Sequence, residues 1–228
     1  MNHITEIFLL ILASYIVGSI PTGVWISKIF FGFDVRTKGS GNMGSTNVFR
    51  VLGTKWGIIV QLVDILKGVI PVVFFCSIIF GNALDDLDYF NRNQIYFEVI
   101  AGAAAVLGHI FPVFIKFKGG KGINTATGML IGVAPIEVGI GVLVFLLVLF
   151  SSGYISLSSI STSFAIPIIM LVRKYIFEVQ IRSFEFLMSF FVLLMITVLI
   201  THRSNIKRLL NGEENKFQKL HLIKFNRS

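Results

Sequence analysis

Six long apolar runs separated by short polar segments dominate this 228-residue chain. Runs of about 20 apolar residues match the hydrocarbon core of a bilayer, where backbone polar groups can bond only to one another. Helices meet that requirement, whereas a closed barrel would need a strict alternation of apolar and polar residues that this sequence lacks. We therefore predict an all-α, polytopic integral membrane protein with apolar helices in residues 7–31, 56–80, 95–117, 123–150, 154–172 and 184–200.

Composition agrees with a membrane protein, because the mean hydropathy is +0.82 and only 14% of residues are charged. A soluble domain carries about a quarter charged residues. We expect one integral membrane domain over residues 1–228, with residues 201–228 as its basic cytoplasmic tail. Cys76 is the only cysteine, so an internal disulfide is excluded. The sequence predicts no metal site and no cofactor.

The topology depends on the fourth run, residues 123–150, which is long for one span and contains Pro135. One continuous helix gives six spans, with residues 201–214 facing away from residues 36–50 and 108–125. A split near Pro135 gives about seven spans and puts all three segments on one face, together with fifteen of the twenty Lys and Arg residues. The positive-inside rule makes that face cytoplasmic, with the N-terminus outside and the C-terminus inside. The basic loop around residues 173–182 is a local exception.

The net charge of +8 is concentrated in three polar segments, which we call the first (36–50), second (108–125) and third (201–214) segments. Each combines glycine or asparagine with lysine, arginine or histidine beside an apolar run. Charge placed between apolar runs points to membrane orientation and to anionic lipids or substrates, and argues against a nucleic-acid partner. This mixture is typical of sites that hold phosphate beside a bilayer.

The first segment contains GSGNMG, residues 39–44, which matches the G-x-G-x-x-G pattern. A dinucleotide site would need a preceding strand, and here the flanks are apolar helices, so that reading is rejected. Glycines such as Gly41 still allow backbone N–H groups to face an anion, and Arg50 can grip phosphate with two hydrogen bonds. A tight turn with solvated basic residues is the alternative. Neutral donors come from Ser40, Asn42, Thr46 and Asn47.

The second segment contains KGGKG, residues 118–122, which departs from the nucleotide P-loop because Gly122 stands where Ser or Thr is needed. Gly119 and Gly120 permit close backbone approach to a ligand beside Lys121, and a helix starting near residue 124 would direct its positive end there. The alternative is a basic membrane anchor. His109 is either a substrate-binding residue or base, or a hydrogen-bonded helix residue.

Polar residues also occur at the membrane edge and inside the second run. His202 and Asn205 are three residues apart directly after the last run, at the start of a short amphipathic helix. Asp64 and Lys67 are three apart within an apolar run, where charged side chains are paired or functional. We predict an ion pair between them, with direct catalysis as the alternative.

Several motifs together resemble the acyl-phosphate-dependent glycerol-3-phosphate acyltransferases of bacteria, the PlsY family. They are GSGNMGSTNVFR (39–50), GHIFPVFIKFKGGKGINTATG (108–128) and HRSNIKRLLNGEE (202–214), supported by GSIPTG, DILKG and GYISLSS. Met43 and Ser45 stand where the family often has Pro and Ala, and Ile123 and Asn124 replace a frequent Val-Ala. The resemblance implies acyl transfer from acyl phosphate to the 1-hydroxyl of sn-glycerol 3-phosphate, the first acylation of phospholipid synthesis, in the bacterial cytoplasmic membrane.

The resemblance also implies a polar pocket formed by Ser40, Arg50, Lys121, Ser158, Ser159, His202 and Asn205. Lys121, His202 and Ser40 are expected to be catalytic, with substrate binding by the rest and by Gly41, Asn42, Asn47, His109, Gly119 and Gly120. The base stays open between His202, His109 and the donor's own phosphate. The H-x4-D signature of thioester-using acyltransferases is absent from the sequence.

Two other functions remain open at this point. A transporter of an anionic metabolite would also use interrupted helices and basic glycine-rich segments, although no repeated halves are evident. A small lipid-binding scaffold would tolerate neutralisation of Lys121. Expected partners are the two phosphorylated substrates and membrane lipids.

Overall fold

The computed structural model describes residues 3–80, 87–214 and 216, and these form helices and turns with no β-strand among them. The all-α prediction is confirmed. Short 3₁₀ turns at Val35–Thr37 and Val113–Ile115 lie within the first and second segments. The α-helices within the described ranges are α1 His3–Gly18, α2 Thr22–Phe31, α3 Ser45–Leu52, α4 Thr54–Ile70, α5 Cys76–Phe80, α6 Leu87–Ile110, α7 Ile123–Val133, α8 Pro135–Ser152, α9 Ile155–Tyr175, α10 Phe184–Thr201 and α11 Arg203–Leu210.

Helices long and apolar enough to cross a bilayer confirm the prediction of a polytopic membrane protein. Large apolar side chains such as Leu147, 70% exposed, and Phe150, 82% exposed, cover their outer surfaces and suit contact with lipid. A π-helical turn at Pro71–Phe75 joins α4 to α5 within one of these spans. Among the described residues there are six candidate spans, namely Ile4–Phe31, Thr54–Ile79, Asn93–Ile115, Pro135–Ser152, Ile155–Tyr175 and Phe184–Thr201.

The fourth apolar run is divided, as the sequence predicts. Helix α7 ends at Val133, Ala134 has φ −143° and ψ 67°, and α8 begins at Pro135. A residue before proline avoids the helical region, whereas proline itself fits the first turn of a new helix. The 11 residues of α7 rise about 16 Å, roughly half of a hydrocarbon core of about 30 Å. The count of seven spans and the orientation of the termini stay predictions.

The chain forms two compact units, Met1–Pro135 and Ile136–Ser228. In the first unit α1 packs on α6, and α4 packs on both α3 and α7. In the second unit α9 packs on α10 and α11, and a partly buried ion pair joins Glu137 of α8 to Arg173 of α9. The single-domain prediction stays a prediction, and most of the predicted basic tail, at 215 and 217–228, lies outside the described residues.

Two glycines set the distance between α4 and α7. A Cβ on Gly68 would overlap the backbone oxygen of Thr125, and a Cβ on Gly128 would overlap that of Ile65. Small residues at such a crossing let two helix backbones approach closely in a membrane. The start of α7 is therefore held against the part of α4 that carries Asp64.

Candidate functional site

The side chain of Asn47 fixes the glycine loop of the first segment. Asn47 lies in α3 and is 1% exposed. Its Oδ1 accepts a hydrogen bond from the Ser40 N–H at 2.7 Å, and its Nδ2 lies 2.8 to 3.1 Å from the carbonyl oxygens of Val35, Lys38 and Asn42. An amide side chain offers two N–H donors and one acceptor, and all of them are engaged here. The substrate-binding role of Asn47 stays a prediction, and the structure gives its side chain a role in shaping the loop.

The glycine loop of the second segment is built on the end of α6. Gly119 and Gly120 donate their N–H groups to the last carbonyls of that helix, the latter to His109 at 3.1 Å. A Cβ on Gly120 would collide with the imidazole ring of His109, so this position requires glycine. Gly122, at φ +76°, then turns the chain into α7. Lys121 is exposed between these two fixed glycines.

The two loops meet and enclose a cavity. Asn124 Nδ2 donates to Ser45 Oγ at 2.9 Å, and Arg36 Nη1 donates to the carbonyl oxygen of Lys118 at 3.2 Å. The cavity has a volume of about 360 Å³ and lies entirely within the first unit. Its lining residues are Ser40, Asn42, Gly44, Ser45, Thr46, Asn47, Arg50, Asp64, His109, Lys121, Gly122, Ile123 and Asn124.

The cavity gathers much of the site that the sequence predicts. Gly41 and Gly119 line a neighbouring depression beside Asp34 and Arg36. Gly120 lines neither the cavity nor this depression, and it packs against the His109 ring. The predicted site residues that line the cavity itself are Ser40, Asn42, Asn47, Arg50, His109 and Lys121.

Two cations at the cavity are available for an anionic ligand. Within the described residues neither Arg50 nor Lys121 forms an ion pair, and both are exposed. Arg36 contrasts with them, because its Nε and Nη2 donate to the two carboxylate oxygens of Asp34 at 3.0 and 2.7 Å. The hydrogen bond from Arg36 lowers the pKa of Asp34 to about 2. Arg36 therefore serves the loop structure, and Arg50 and Lys121 supply the positive charge of the cavity.

A buried cluster of ionisable residues lies beneath the cavity. Lys67 Nζ is 2.7 Å from Asp64 Oδ1, 2.8 Å from the carbonyl oxygen of Ile20 and 3.2 Å from His109 Nδ1. Thr22 Oγ1 donates to the same Asp64 oxygen at 3.3 Å. The predicted Asp64–Lys67 pair is thus present. Sequence reasoning did not foresee that Lys67 reaches His109, nor that Asp64 lines the cavity.

The second unit holds the remaining predicted residues. His202 follows α10, and its Nδ1 lies 3.0 Å from the carbonyl oxygen of Val198. A carbonyl only accepts hydrogen bonds, so Nδ1 carries the hydrogen and Nε2 of the neutral ring is left as an acceptor. Ser158 and Ser159 donate their hydroxyls to carbonyls one turn earlier in α9, at 2.8 and 3.0 Å.

Glu214 joins three polar side chains of the second unit. Its Oε1 accepts from Asn205 Nδ2 at 2.9 Å and from Ser156 Oγ at 2.8 Å, and its Oε2 accepts from Arg208 Nε at 2.7 Å. The hydrogen bonds from Asn205 and Arg208 lower the pKa of Glu214. Across the part of the chain that the structure describes, no three His, Cys, Asp or Glu residues are grouped as metal ligands.

Ser45, Asn124 and Asp64 are among the cavity residues that sequence reasoning did not predict as site residues. Ser45 and Asn124 lie at the starts of α3 and α7, and their hydrogen bond links the two segments. A local sequence pattern does not predict such a contact. Asp64 carried a usable signal, because a carboxylate within an apolar run is rarely without function.

Comparison with known proteins shows which family this chain resembles. The family model described as glycerol-3-phosphate acyltransferase matches residues 8–212. A glycerol-3-phosphate acyltransferase of Chlorobium phaeobacteroides is 43% identical over 231 residues, covering 94% of this chain and 95% of that protein. Another of that name, from Chlorobaculum tepidum, is 43% identical over 224 residues, covering 91% of this chain and 94% of its own length.

Two solved structures are also similar to this chain. One is the glycerol 3-phosphate form of PlsY, an integral membrane glycerol 3-phosphate acyltransferase, with a TM-score of 0.65 and 34% sequence identity. The other is the lysophosphatidic acid form of PlsY, with a TM-score of 0.64 and 33% identity. Each comparison covers 94% of this chain and 96% of the solved one.

Proposed function

The chain belongs to the glycerol-3-phosphate acyltransferase family, and we propose that it transfers a fatty acyl group from acyl phosphate to the 1-hydroxyl of sn-glycerol 3-phosphate. The products are 1-acyl-sn-glycerol 3-phosphate (lysophosphatidate) and inorganic phosphate. The reaction takes place at the cytoplasmic face of the bacterial inner membrane, where the soluble acceptor and the membrane-bound acyl chain can meet. Solved forms of a similar protein with glycerol 3-phosphate and with lysophosphatidic acid support this substrate and product.

One observation carries the proposal: two cations without ion-pair partners in the described residues, Arg50 and Lys121, share a cavity with the start of α7. Helix N-termini have unpaired N–H groups and a positive dipole end, which favour bound phosphate. Both proposed substrates carry phosphate. The neutral donors Ser40, Ser45 and Asn124 line the same cavity and suit the hydroxyl and phosphate oxygens of such ligands.

The reaction forms one ester bond and breaks one mixed-anhydride bond. The hydroxyl oxygen of glycerol 3-phosphate attacks the acyl carbon, and the C–O bond to phosphate then breaks. Phosphate is a good leaving group, so positioning and stabilisation of developing charge supply most of the catalysis. We assign phosphate binding to Arg50 and stabilisation of the oxyanion or the leaving phosphate to Lys121. The hydroxyl proton passes to a histidine, either His202 or His109, or to a phosphate oxygen of the donor.

The experiment uses the full-length protein purified in detergent, with acyl phosphate and glycerol 3-phosphate. Lysophosphatidate and inorganic phosphate are measured together, and omission of glycerol 3-phosphate separates transfer from hydrolysis. Lys121→Ala is expected to abolish product formation. Lys118→Ala is the matched control, because Lys118 is an exposed lysine of the same loop outside the cavity lining. Full activity of Lys121→Ala, or none in folded wild-type protein, would overturn the assignment.

A further inference from the structure

The cavity has an apolar rim at one point, although the rest of its lining is polar. Among the described residues that line the cavity, Ile123 is the single aliphatic side chain, and the others are polar, charged or glycine. Ile123 is the first residue of α7 and is 67% exposed. In a membrane-spanning chain, an exposed aliphatic side chain on a helix suits contact with lipid. The polar cavity therefore adjoins an apolar surface at Ile123.

The apolar surface continues along one side of α7. The opposite side of this helix is buried, and it carries Gly128, which packs closely against α4, together with Thr125, Met129 and Val133. Because an α-helix has 3.6 residues per turn, the positions three, four, seven and eight residues after Ile123 lie on the same side as Ile123. The residues at these four positions are half-buried. We call this side the α7 strip, and its residues are Ile123, Ala126, Thr127, Leu130 and Ile131.

The α7 strip offers no charge and no unpaired side-chain donor to a neighbouring molecule. Thr127 carries the one hydroxyl of the strip, and its Oγ1 donates to the carbonyl oxygen of Ile123 at 3.0 Å. The other four side chains are aliphatic. From Ile123 to Ile131 the helix rises about 12 Å. The strip is therefore an apolar path that begins at the cavity rim and follows α7 away from the cavity.

Acyl phosphate needs both a polar and an apolar surface, because its phosphate is anionic and its acyl chain is apolar. Arg50 and Lys121 supply positive charge for the phosphate, and both line the cavity with Ile123. Lys121 and Ile123 are two residues apart, so their Cα atoms are separated by at most about 7.6 Å. A chain laid among the polar lining residues would desolvate them without offering hydrogen bonds in return. A phosphate bound at Lys121 therefore has an apolar exit for its chain at Ile123.

We propose that Ile123 is a specificity-determining residue for the acyl donor, and that the acyl chain leaves the cavity past Ile123 and lies along the α7 strip. This inference rests on the proposed function, in which the donor is acyl phosphate. Ile123 contacts the carbons of the chain nearest the carbonyl group, and Leu130 and Ile131 contact carbons farther along it. Glycerol 3-phosphate has no such chain, so its binding does not use the strip.

Thiol labelling tests the path of the chain without acyl transfer. Ile123→Cys and Ile29→Cys are made separately in a Cys76→Ala background. Ile29 is the matched control, because it is 73% exposed in the same unit and lies outside the cavity lining. Hexadecyl phosphate, which cannot transfer its chain, is added at about ten times its Kd and should slow labelling of Ile123→Cys about tenfold.

Two comparisons make this labelling result specific. Hexadecyl phosphate should leave the labelling rate of Ile29→Cys unchanged, because the control site lies away from the proposed path. Hexadecanol, which has the same chain without phosphate, should protect neither cysteine, because the cavity holds the phosphate. Equal protection at both positions, or no protection of Ile123→Cys, would overturn the proposed path.

Steady-state kinetics test the specificity role. Ile123→Ala should raise the KM for palmitoyl phosphate about three- to thirtyfold, because part of the apolar contact with the chain is lost. The KM for glycerol 3-phosphate should stay within about twofold of wild type, and Ile123→Leu, which conserves volume, should stay within about threefold for both substrates. An unchanged KM for palmitoyl phosphate in Ile123→Ala, or an equal rise for both substrates, would overturn the role. Absence of acyl transfer by wild-type protein refutes the proposed function instead, and leaves the labelling measurement valid.

Discussion

Substitution of Asn47 by alanine should uncouple the glycine loop of the first segment from α3. The change removes one acceptor and two N–H donors, which bond the Ser40 N–H and three carbonyl oxygens. Each net hydrogen bond is worth about 1 kcal/mol. Only the bond to the Val35 carbonyl is fully buried, so water replaces part of the rest. We therefore expect the ordered loop to be destabilised by about 2–3 kcal/mol.

A loss of that size lowers the ratio of ordered to disordered loop by about 30- to 150-fold, and kcat/KM for glycerol 3-phosphate should fall with it by up to that factor. Asn42→Ala is the graded comparison, because it removes one hydrogen bond, from Gly44 N–H to Asn42 Oδ1. It should cost only about fivefold. The assay is steady-state production of lysophosphatidate at varied glycerol 3-phosphate.

A second readout separates local loosening from unfolding. Cys76 is the single cysteine of the chain, is 1% exposed and packs among Leu10, Phe97 and Ala101. A thiol-reactive fluorophore therefore reports opening of the α1–α5–α6 core. Below the melting temperature, its reaction rate should be the same in Asn47→Ala and wild type. Retention of kcat/KM within about twofold in Asn47→Ala would refute the reasoning.

Three further perturbations follow from the geometry. Gly128→Ala should prevent stable folding, because the new Cβ would overlap the backbone oxygen of Ile65 in α4. The monodisperse peak in size-exclusion chromatography should be lost, and a normal peak would contradict this. Asp34→Asn should lower thermal stability near pH 7, because the native pKa of Asp34 is depressed to about 2. The stabilisation is present above the unfolded pKa of about 3.9 and is lost as pH falls through about 2, so the difference in Tm should shrink there; a constant difference would contradict it. In a Cys76→Ala background, the single substitutions Lys118→Cys and Lys207→Cys should both react with a membrane-impermeant thiol reagent from the same side of the membrane. Reaction from opposite sides would support six spans.

The helical architecture is readable from the sequence because the bilayer leaves few alternatives. Apolar length predicts the helices, and Pro135 predicts the division of residues 123–150, since proline disfavours helical geometry in the residue before it. The glycine requirements of the second segment are equally local. A Cβ on Gly120 would collide with the His109 ring, and Gly122 has a positive φ that glycine adopts readily. Patterns within a short stretch of chain therefore carry these features.

Contacts between distant segments were harder to foresee. Lys67 and His109 are 42 residues apart, and Asn124 and Ser45 are 79 apart, so no spacing rule joins them. Their meeting depends on how α4, α6 and α7 pack, which in turn depends on close helix crossings at glycines. Asn47 is a similar case, because the sequence suggests a ligand donor while the fold uses its amide for the loop.

The central claim is that acyl phosphate donates the acyl group to glycerol 3-phosphate. It is tested most directly by offering the purified protein acyl phosphate, an acyl thioester of coenzyme A or no donor, each with glycerol 3-phosphate. Lysophosphatidate and released phosphate are then measured in the same sample. We predict equal molar amounts of both products from acyl phosphate and neither product from the thioester. Lysophosphatidate formed from the thioester alone, or phosphate released from acyl phosphate without lysophosphatidate, would contradict the claim.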